Sequence, residues 1–206
     1  MNHLAAFVAR AKDPSLEVHA VILLFHKPYG VLSQYKPVEG KRTLLEFPGL
    51  AGGKAVGRLD EDSEGLIVIS DEAWVQALLT RPGQVEKTYR AQVERVPAEQ
   101  ALQELRKGVR CGDFVSAPAR AQLLPDLEMP AREPPIRHRL NVPTIWLELT
   151  IKEGKNRQVR RMTAAVGHPT LRLLRVGIGA LSLGGLAAGQ CRKLTSQERG
   201  WLSGCC

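Results

Sequence analysis

Apolar positions along this chain recur with two spacings. Val21 to Phe25 is a continuous apolar run closed by Lys27-Pro28 and Gly30, and Leu66 to Ile69 is a second. Short runs bounded in this way predict buried strands. Strict alternation predicts two more strands. In Lys87 to Val93, Tyr89, Ala91 and Val93 oppose Thr88, Arg90 and Gln92; in Thr144 to Lys152, Ile145, Leu147, Leu149 and Ile151 share one face.

Helical spacing lies between these strands. Ser70-Asp71-Glu72 supplies a cap and first-turn acids for a helix through Leu79, ended by Arg81-Pro82-Gly83. Ala101, Leu102 and Leu105 form one face of a helix from Ala98 to Lys107, with Gly108 as its C-cap. After a turn at Glu153-Gly154, Asn156 is placed to cap a helix running to Val166 and closed by Gly167. Thr195-Ser-Gln-Glu198 has capping-box spacing for a last short helix. Residues 31–56 read as loop with a short helix near Thr43 to Phe47, and Gly112-Asp113 as a hairpin turn leading to strands around 114–124. Five prolines between 125 and 143 make that stretch an extended loop. Strands and helices alternate without a βαβ rhythm, so the expected fold is α+β with a mostly antiparallel sheet.

Composition narrows the class. With 206 residues, 44% apolar and 24% charged, the chain fills one substantial core and is not a disordered polymer. No apolar run approaches bilayer length, and Met1 to Ala20 carries charges without a signal-peptide core; the expected location is the cytoplasm, away from membranes. The cysteines, at 111, 191, 205 and 206, lack zinc-site spacing, and Cys205-Cys206 reads as a frayed tail. There is no P-loop and no glycine fingerprint after a strand, so neither a metal nor any other cofactor is expected.

Charge adds a location. The net charge is +8, and between Gly154 and Leu194 there are eight lysines and arginines and no Asp or Glu. Such a segment on a balanced body suggests a polyanion-binding face, the alternative being a solvated helix with scattered strand-edge cations.

Four segments carry candidate chemistry: His26-Lys-Pro-Tyr-Gly30, Gly57-Arg-Leu-Asp-Glu-Asp-Ser-Glu-Gly-Leu66, Lys87-Thr-Tyr89 and Glu153-Gly-Lys-Asn-Arg-Gln-Val-Arg-Arg-Met162. Singly, each has an ordinary reading: Asp60 as one of several acids in a solvated loop, Tyr89 as an inward-facing strand residue. Together and in this order they resemble the ribosomal RNA pseudouridine synthases of the small-subunit enzyme's family. G-R-L-D-x-x-S-x-G-L, K-x-Y and G-x-N-R-Q-V-R-R-M carry the resemblance, which runs from about Ile22 to Leu194. Members of this family often carry a small RNA-binding domain ahead of the catalytic one. Here a tail of residues 1–20 precedes a catalytic domain of 21–202, too short for that domain. With the P-T-x-W-L strand and the proline-rich loop, this resembles the E-type branch acting on large-subunit ribosomal RNA.

The resemblance implies a pseudouridine synthase fold with a bent central sheet, a monomer, and ribosomal RNA as partner. It makes Asp60 the catalytic carboxylate, Arg160 its ion-pair partner, and Tyr89 the residue against the target base. The chemistry suits these roles. Breaking the N1–C1′ bond of uridine develops positive charge on the sugar, which a carboxylate captures or relieves by removing the C2′ proton; the residues leave both routes open. A base within a duplex must first be flipped out. Arg58 is a candidate to fill the vacated place or hold phosphate, or else pairs with Glu61, Asp62 or Glu64. Leu173 either packs beneath the base or belongs to the core. Lys27 and Lys155, with Arg172 and Arg175, are expected on phosphates, and Asn156, Arg157 and Arg161 on RNA. On a helical projection Arg157, Arg160 and Arg161 oppose Val159, Met162 and Val166. His26 is expected to bond backbone. The rival reading is an RNA-binding assembly factor without catalysis; a nuclease or deaminase lacks the metal ligands it would need.

Overall fold

The computed structural model describes residues 21–50, 52–136 and 142–205. Eleven strands, four α-helices and two 3-10 turns are present among these residues. The strands are β1 (Ile22–Lys27), β2 (Val31–Leu32), β3 (Arg42–Thr43), β4 (Lys54–Val56), β5 (Glu64–Ser70), β6 (Lys87–Glu94), β7 (Arg120–Leu124), β8 (Thr144–Ile151), β9 (Thr170–Ile178), β10 (Leu181–Ser182) and β11 (Cys191–Lys193). The helices are α1 (Ala73–Thr80), α2 (Glu99–Lys107), α3 (Gln158–Ala165) and α4 (Ser196–Gly204).

Nine strands form one sheet in the order β11-β1-β5-β9-β6-β8-β7, with β4 added to β5 and β10 to β9. Every pairing in it is antiparallel except the short parallel contact of β5 with β9 at Glu64 and Gly65. The α+β expectation holds. All seven residues of β5 are buried, which is why its centre, Leu66 to Ile69, reads as an apolar run without alternation. Ile67 and Ile69 face one core with Tyr89, Ala91, Val93, Leu147 and Leu149, covered by Leu102 and Leu105 of α2 and Val159 and Met162 of α3. Leu66 and Val68 face a second core with Val75, Leu78 and Leu79 of α1 and Leu202 of α4. Helices therefore cover both faces, and the segment before β5, the start of β6 at Lys87 and Arg175 within β9 line one cleft.

Local signals held unevenly. The Thr195/Glu198 capping box is complete, Gly108 caps α2 at φ 97°, and β6 alternates as expected. Two helix starts differ. Ser70 belongs to β5 and its hydroxyl bonds Glu72 N–H, so α1 begins at Ala73 after Glu72 with no side-chain cap. Asn156 does not cap α3; Arg157 does, in a left-handed conformation at φ 49°. Within the stretch expected as loop, Lys54–Val56 forms β4, three residues being too few to show a period. Residues 114–119 hold one bridge, Arg110 with Val115, before β7, and Cys205 caps α4 instead of fraying. The tail 1–20, Arg137, His138 and Arg139 of the proline-rich loop, and Cys206 lie outside the described residues.

Candidate active site

The segment from Gly57 to Glu64 is held through both its backbone and its carboxylates. Ser63 N–H bonds Asp60 carbonyl at 3.1 Å, closing a turn, and Gly30 N–H bonds Glu61 carbonyl at 2.9 Å. The Ser33 hydroxyl donates to Leu59 carbonyl (2.7 Å) and accepts from Leu59 N–H (3.1 Å), fixing the residue before Asp60. Sequence reasoning missed Ser33, which belongs to no motif and is revealed only by its contacts.

Lys27 is placed differently from the sequence expectation. Its side chain is fully buried, and Nζ donates to the carbonyls of Pro28 (2.8 Å), Val31 (2.7 Å) and Glu61 (3.3 Å). An ammonium enclosed in this way cannot reach an RNA phosphate; it ties β1 to the Asp60 turn. Burial lowers its pKa to about 8 from 10.5, against the opposing pull of Glu64, Asp62, Glu61 and Asp60. Between those two pH values the unfolded chain binds a proton that the folded one does not, so this residue's contribution to stability increases with pH. In thermal melts from pH 8 to 10.5, wild type should therefore gain on Lys27→Met; a constant difference would show that the ammonium is not perturbed. His26 bonds Leu186 carbonyl through Nδ1 at 2.7 Å, as expected of a backbone-bonding residue, and burial lowers its pKa.

The start of β5 is locked to β9 by Glu64 and Arg172, both buried and joined by two bonds of 2.9 and 2.8 Å. Arg172 also donates to Pro130 carbonyl at 2.7 Å, fastening the proline-rich loop. Next to them Gly65, at φ 104°, is required: a Cβ would lie 2.3 Å from Arg175 carbonyl oxygen. Arg175 is buried as well, donating to Leu66 and Gly57 carbonyls at 2.7 and 2.5 Å. Neither Arg172 nor Arg175 is a phosphate contact; burial and internal partners remove both from the surface.

Asp60 lies at the mouth of the cleft with its side chain 35% exposed. The guanidinium within ion-pair distance is that of Arg157, at 3.7 Å, not Arg160. Arg160 instead donates to Asp62 carbonyl (2.7 Å) and Thr170 carbonyl (3.1 Å) and lies 3.4 Å from the Asp62 carboxylate, without hydrogen-bond geometry at Nε. It braces the loop from beneath. Arg157 grips Asp62 through two bonds of 2.9 and 2.8 Å. Burial works to raise the Asp62 pKa, but Arg157 and Arg160 outweigh it and the carboxyl is held below its usual range. Because Arg157 precedes the first turn of α3, it does not share a helical face with Arg160 and Arg161.

These residues border a cleft of about 680 Å³ lined by Arg58, Asp60, Tyr89, Asn156 and Leu173 among others. Tyr89 is directly opposite Arg175 in the β6–β9 register, and Leu173 opposite Ala91, so both candidates rise from the cleft floor. Leu173 also belongs to the core, which makes its two readings compatible. Arg58 is exposed, and the acids that could have taken it are engaged: Glu61 with Lys41, Asp62 with Arg157, Glu64 with Arg172. Lys155 pairs with Glu153 at 3.0 Å and lies 4.3 Å over the Phe114 ring; Arg161 pairs with Asp113 over the same ring. Among the described residues no helix is long and apolar enough to cross a membrane.

A cleft of this volume accepts one extruded nucleotide, with a carboxylate at its mouth and cations on the rim to meet backbone phosphate. The class so defined is an enzyme acting on single bases of a nucleic acid. The chain belongs to the RNA pseudouridylate synthase family, whose model matches residues 21–165. It is 51% identical over 171 residues to "Ribosomal large subunit pseudouridine synthase E" of Xanthomonas axonopodis pv. citri, covering 81% of this chain and 90% of that protein. To the protein of the same name from Vibrio parahaemolyticus it is 45% identical over 174 residues, covering 84% and 73%. Among solved structures, one described as "Crystal structure of pseudouridylate synthase" matches with TM-score 0.72 and 28% identity, over 89% of this chain and 74% of the other.

Proposed function

We propose that this protein isomerises a specific uridine of large-subunit ribosomal RNA to pseudouridine, working as a monomer in the cytoplasm. The observation that carries the substrate is the 51% identity to a relative named for the large ribosomal subunit, extending over 90% of that relative.

In this reading the target uridine enters the cleft with its C1′ toward Asp60 and its ring against Tyr89. The N1–C1′ bond breaks and its electron pair leaves with the base. Asp60 either bonds C1′ or takes the C2′ proton. The base turns and C5 bonds C1′ as the Asp60–C1′ bond breaks or Asp60 returns the proton to C2′; the C5 proton then departs with help from the Tyr89 hydroxyl, and N1 gains a proton. Leu173 supports the ring from below. Arg160 keeps the Asp60–Ser63 turn in place and acts on the reaction through it, while Arg157 lies within ion-pair distance of the Asp60 carboxylate. Arg58, Lys155, Asn156, Arg157 and Arg161 meet the RNA at the rim, the cations on phosphate.

The test is to incubate unmodified large- and small-subunit ribosomal RNA, naked and in pre-ribosomal particles, with the protein and map pseudouridines by carbodiimide-dependent reverse-transcription stops. One new stop in large-subunit RNA is expected. New stops confined to small-subunit RNA would refute the substrate assignment.

A further inference from the structure

The cleft contains a cation that the reaction as described leaves unused. Lys87 begins β6, lines the same cleft as Asp60 and is buried. Its Nζ makes one hydrogen bond, to Val85 carbonyl at 3.2 Å. Among the described residues no carboxylate lies within ion-pair distance of it. The charge acting on it is that of Arg175, also buried in the cleft and also bonded only to carbonyls. A buried cation is costly unless an anion offsets it. Two adjacent ones without a carboxylate make a positive cleft floor.

Their position relative to the other candidates gives that charge a direction. Lys87 and Tyr89 are both buried on one face of β6, about 7 Å apart along the strand. Arg175 is directly across from Tyr89 on β9. A pyrimidine against Tyr89 therefore lies over cations, while its sugar meets the carboxylate of Asp60. This matches the charge separation of the first step. When the N1–C1′ bond breaks, its electron pair stays on N1 and delocalises onto the O2 and O4 oxygens, and the positive sugar carbon is taken by Asp60.

We propose that Lys87, supported by Arg175, stabilises the detached uracil anion by donating to one of its carbonyl oxygens while the ring turns. Capture by Asp60 and loss of the C2′ proton release the same anion, so either route uses it. The inference rests on the pseudouridine synthase reading and assigns the base-binding half of that site. Burial and the charge of Arg175 both favour losing the lysine proton, so the ammonium is poised to strengthen its interaction as an anion forms beside it.

The experiment compares wild type, Lys87→Met and Lys87→Arg in single turnovers on target RNA carrying uridine or 5-fluorouridine, following disappearance of the N-linked nucleoside. Fluorine stabilises the departing anion by itself, so a variant lacking the stabilising charge should suffer less on it. Lys87→Met is expected to lose about 10²- to 10³-fold on uridine and roughly 10-fold on 5-fluorouridine, the scale of removing one donor from a developing anion. RNA affinity should not change, and Lys87→Arg should stay within about tenfold of wild type because it keeps the charge. Equal losses on both substrates, or no loss, would overturn the role. If Lys87→Met does not fold, Lys87→Gln is read by the same criterion. Wild type failing on uridine would instead refute the reading beneath the inference.

Discussion

Asp60→Asn should lose about 10⁴-fold or more of the single-turnover rate, the scale seen when an essential catalytic group is removed. The same variant should bind target RNA as tightly as wild type, or slightly more tightly, since it removes a negative charge from a cationic rim. It should also fold normally. Asp60 is partly exposed, and among the described residues its ion pair is the 3.7 Å contact with Arg157, which keeps two shorter bonds to Asp62. Exposed pairs contribute about 0–1 kcal/mol, so the melting temperature should move by no more than a few degrees. The amide matches the carboxylate in shape but can neither compensate a positive C1′ nor take a proton. Stopped turnover with intact binding separates chemistry from recognition. Full activity in Asp60→Asn would eliminate this residue as the catalytic group, and loss of binding would make it a contact residue instead.

The second large effect is on stability. Arg172→Met should destabilise the protein by about 3–5 kcal/mol, the usual result of removing one partner of a buried ion pair. For a chain of this size that is a fall of roughly 10 °C or more in melting temperature. The variant leaves Glu64 buried without its two bonds and releases Pro130 from its anchor. Adding Glu64→Leu should recover part of the loss, because the pair is costly to bury in the first place. Recovery should be incomplete, since Glu64 also offsets the charge of Lys27. A loss below about 1 kcal/mol in denaturant titrations would mean that the pair behaves as an exposed one.

These two residues show what a sequence reveals and what it hides. Motif order singles out Asp60 and Tyr89, and both line the cleft; the main strands are legible because burial writes itself into apolar runs and alternation. The acid-free stretch after Gly154 misled in part. Two of its cations find their acids far away in the chain: Arg172 in Glu64, 108 residues earlier, and Arg157 in Asp62, 95 residues earlier. Local charge counting sees neither such pairing, as at Arg172, nor enclosure among backbone carbonyls, as at Lys27 and Arg175, and all three are interior. The cations that border the cleft are Arg58, Lys155 and Arg157, with Arg161 beside Lys155 over the Phe114 ring; Lys155, Arg157 and Arg161 lie against Glu153, Asp62 and Asp113. Phosphate binding there must displace or share those carboxylates, and affinity should fall as salt rises.

The Asp60 partner was misplaced for a conformational reason. A helical projection assumes helix from Asn156 onward, but Arg157 adopts a left-handed conformation and α3 starts at Gln158. That single residue directs its guanidinium toward the Asp60 loop. Arg160, one turn into the register, reaches Asp62 and Thr170 instead. Left-handed backbone at a non-glycine residue is uncommon and carries no sequence signature at arginine.

The most direct test of the central claim uses large-subunit ribosomal RNA labelled with tritium at uracil C5, incubated with wild type and with Asp60→Asn. Isomerisation turns C5 into the carbon bonded to the sugar and expels its hydrogen. Wild type should release tritium to water, up to one per RNA molecule, and Asp60→Asn should release none. Release by both proteins alike, or by neither in the presence of intact RNA binding, would contradict the account.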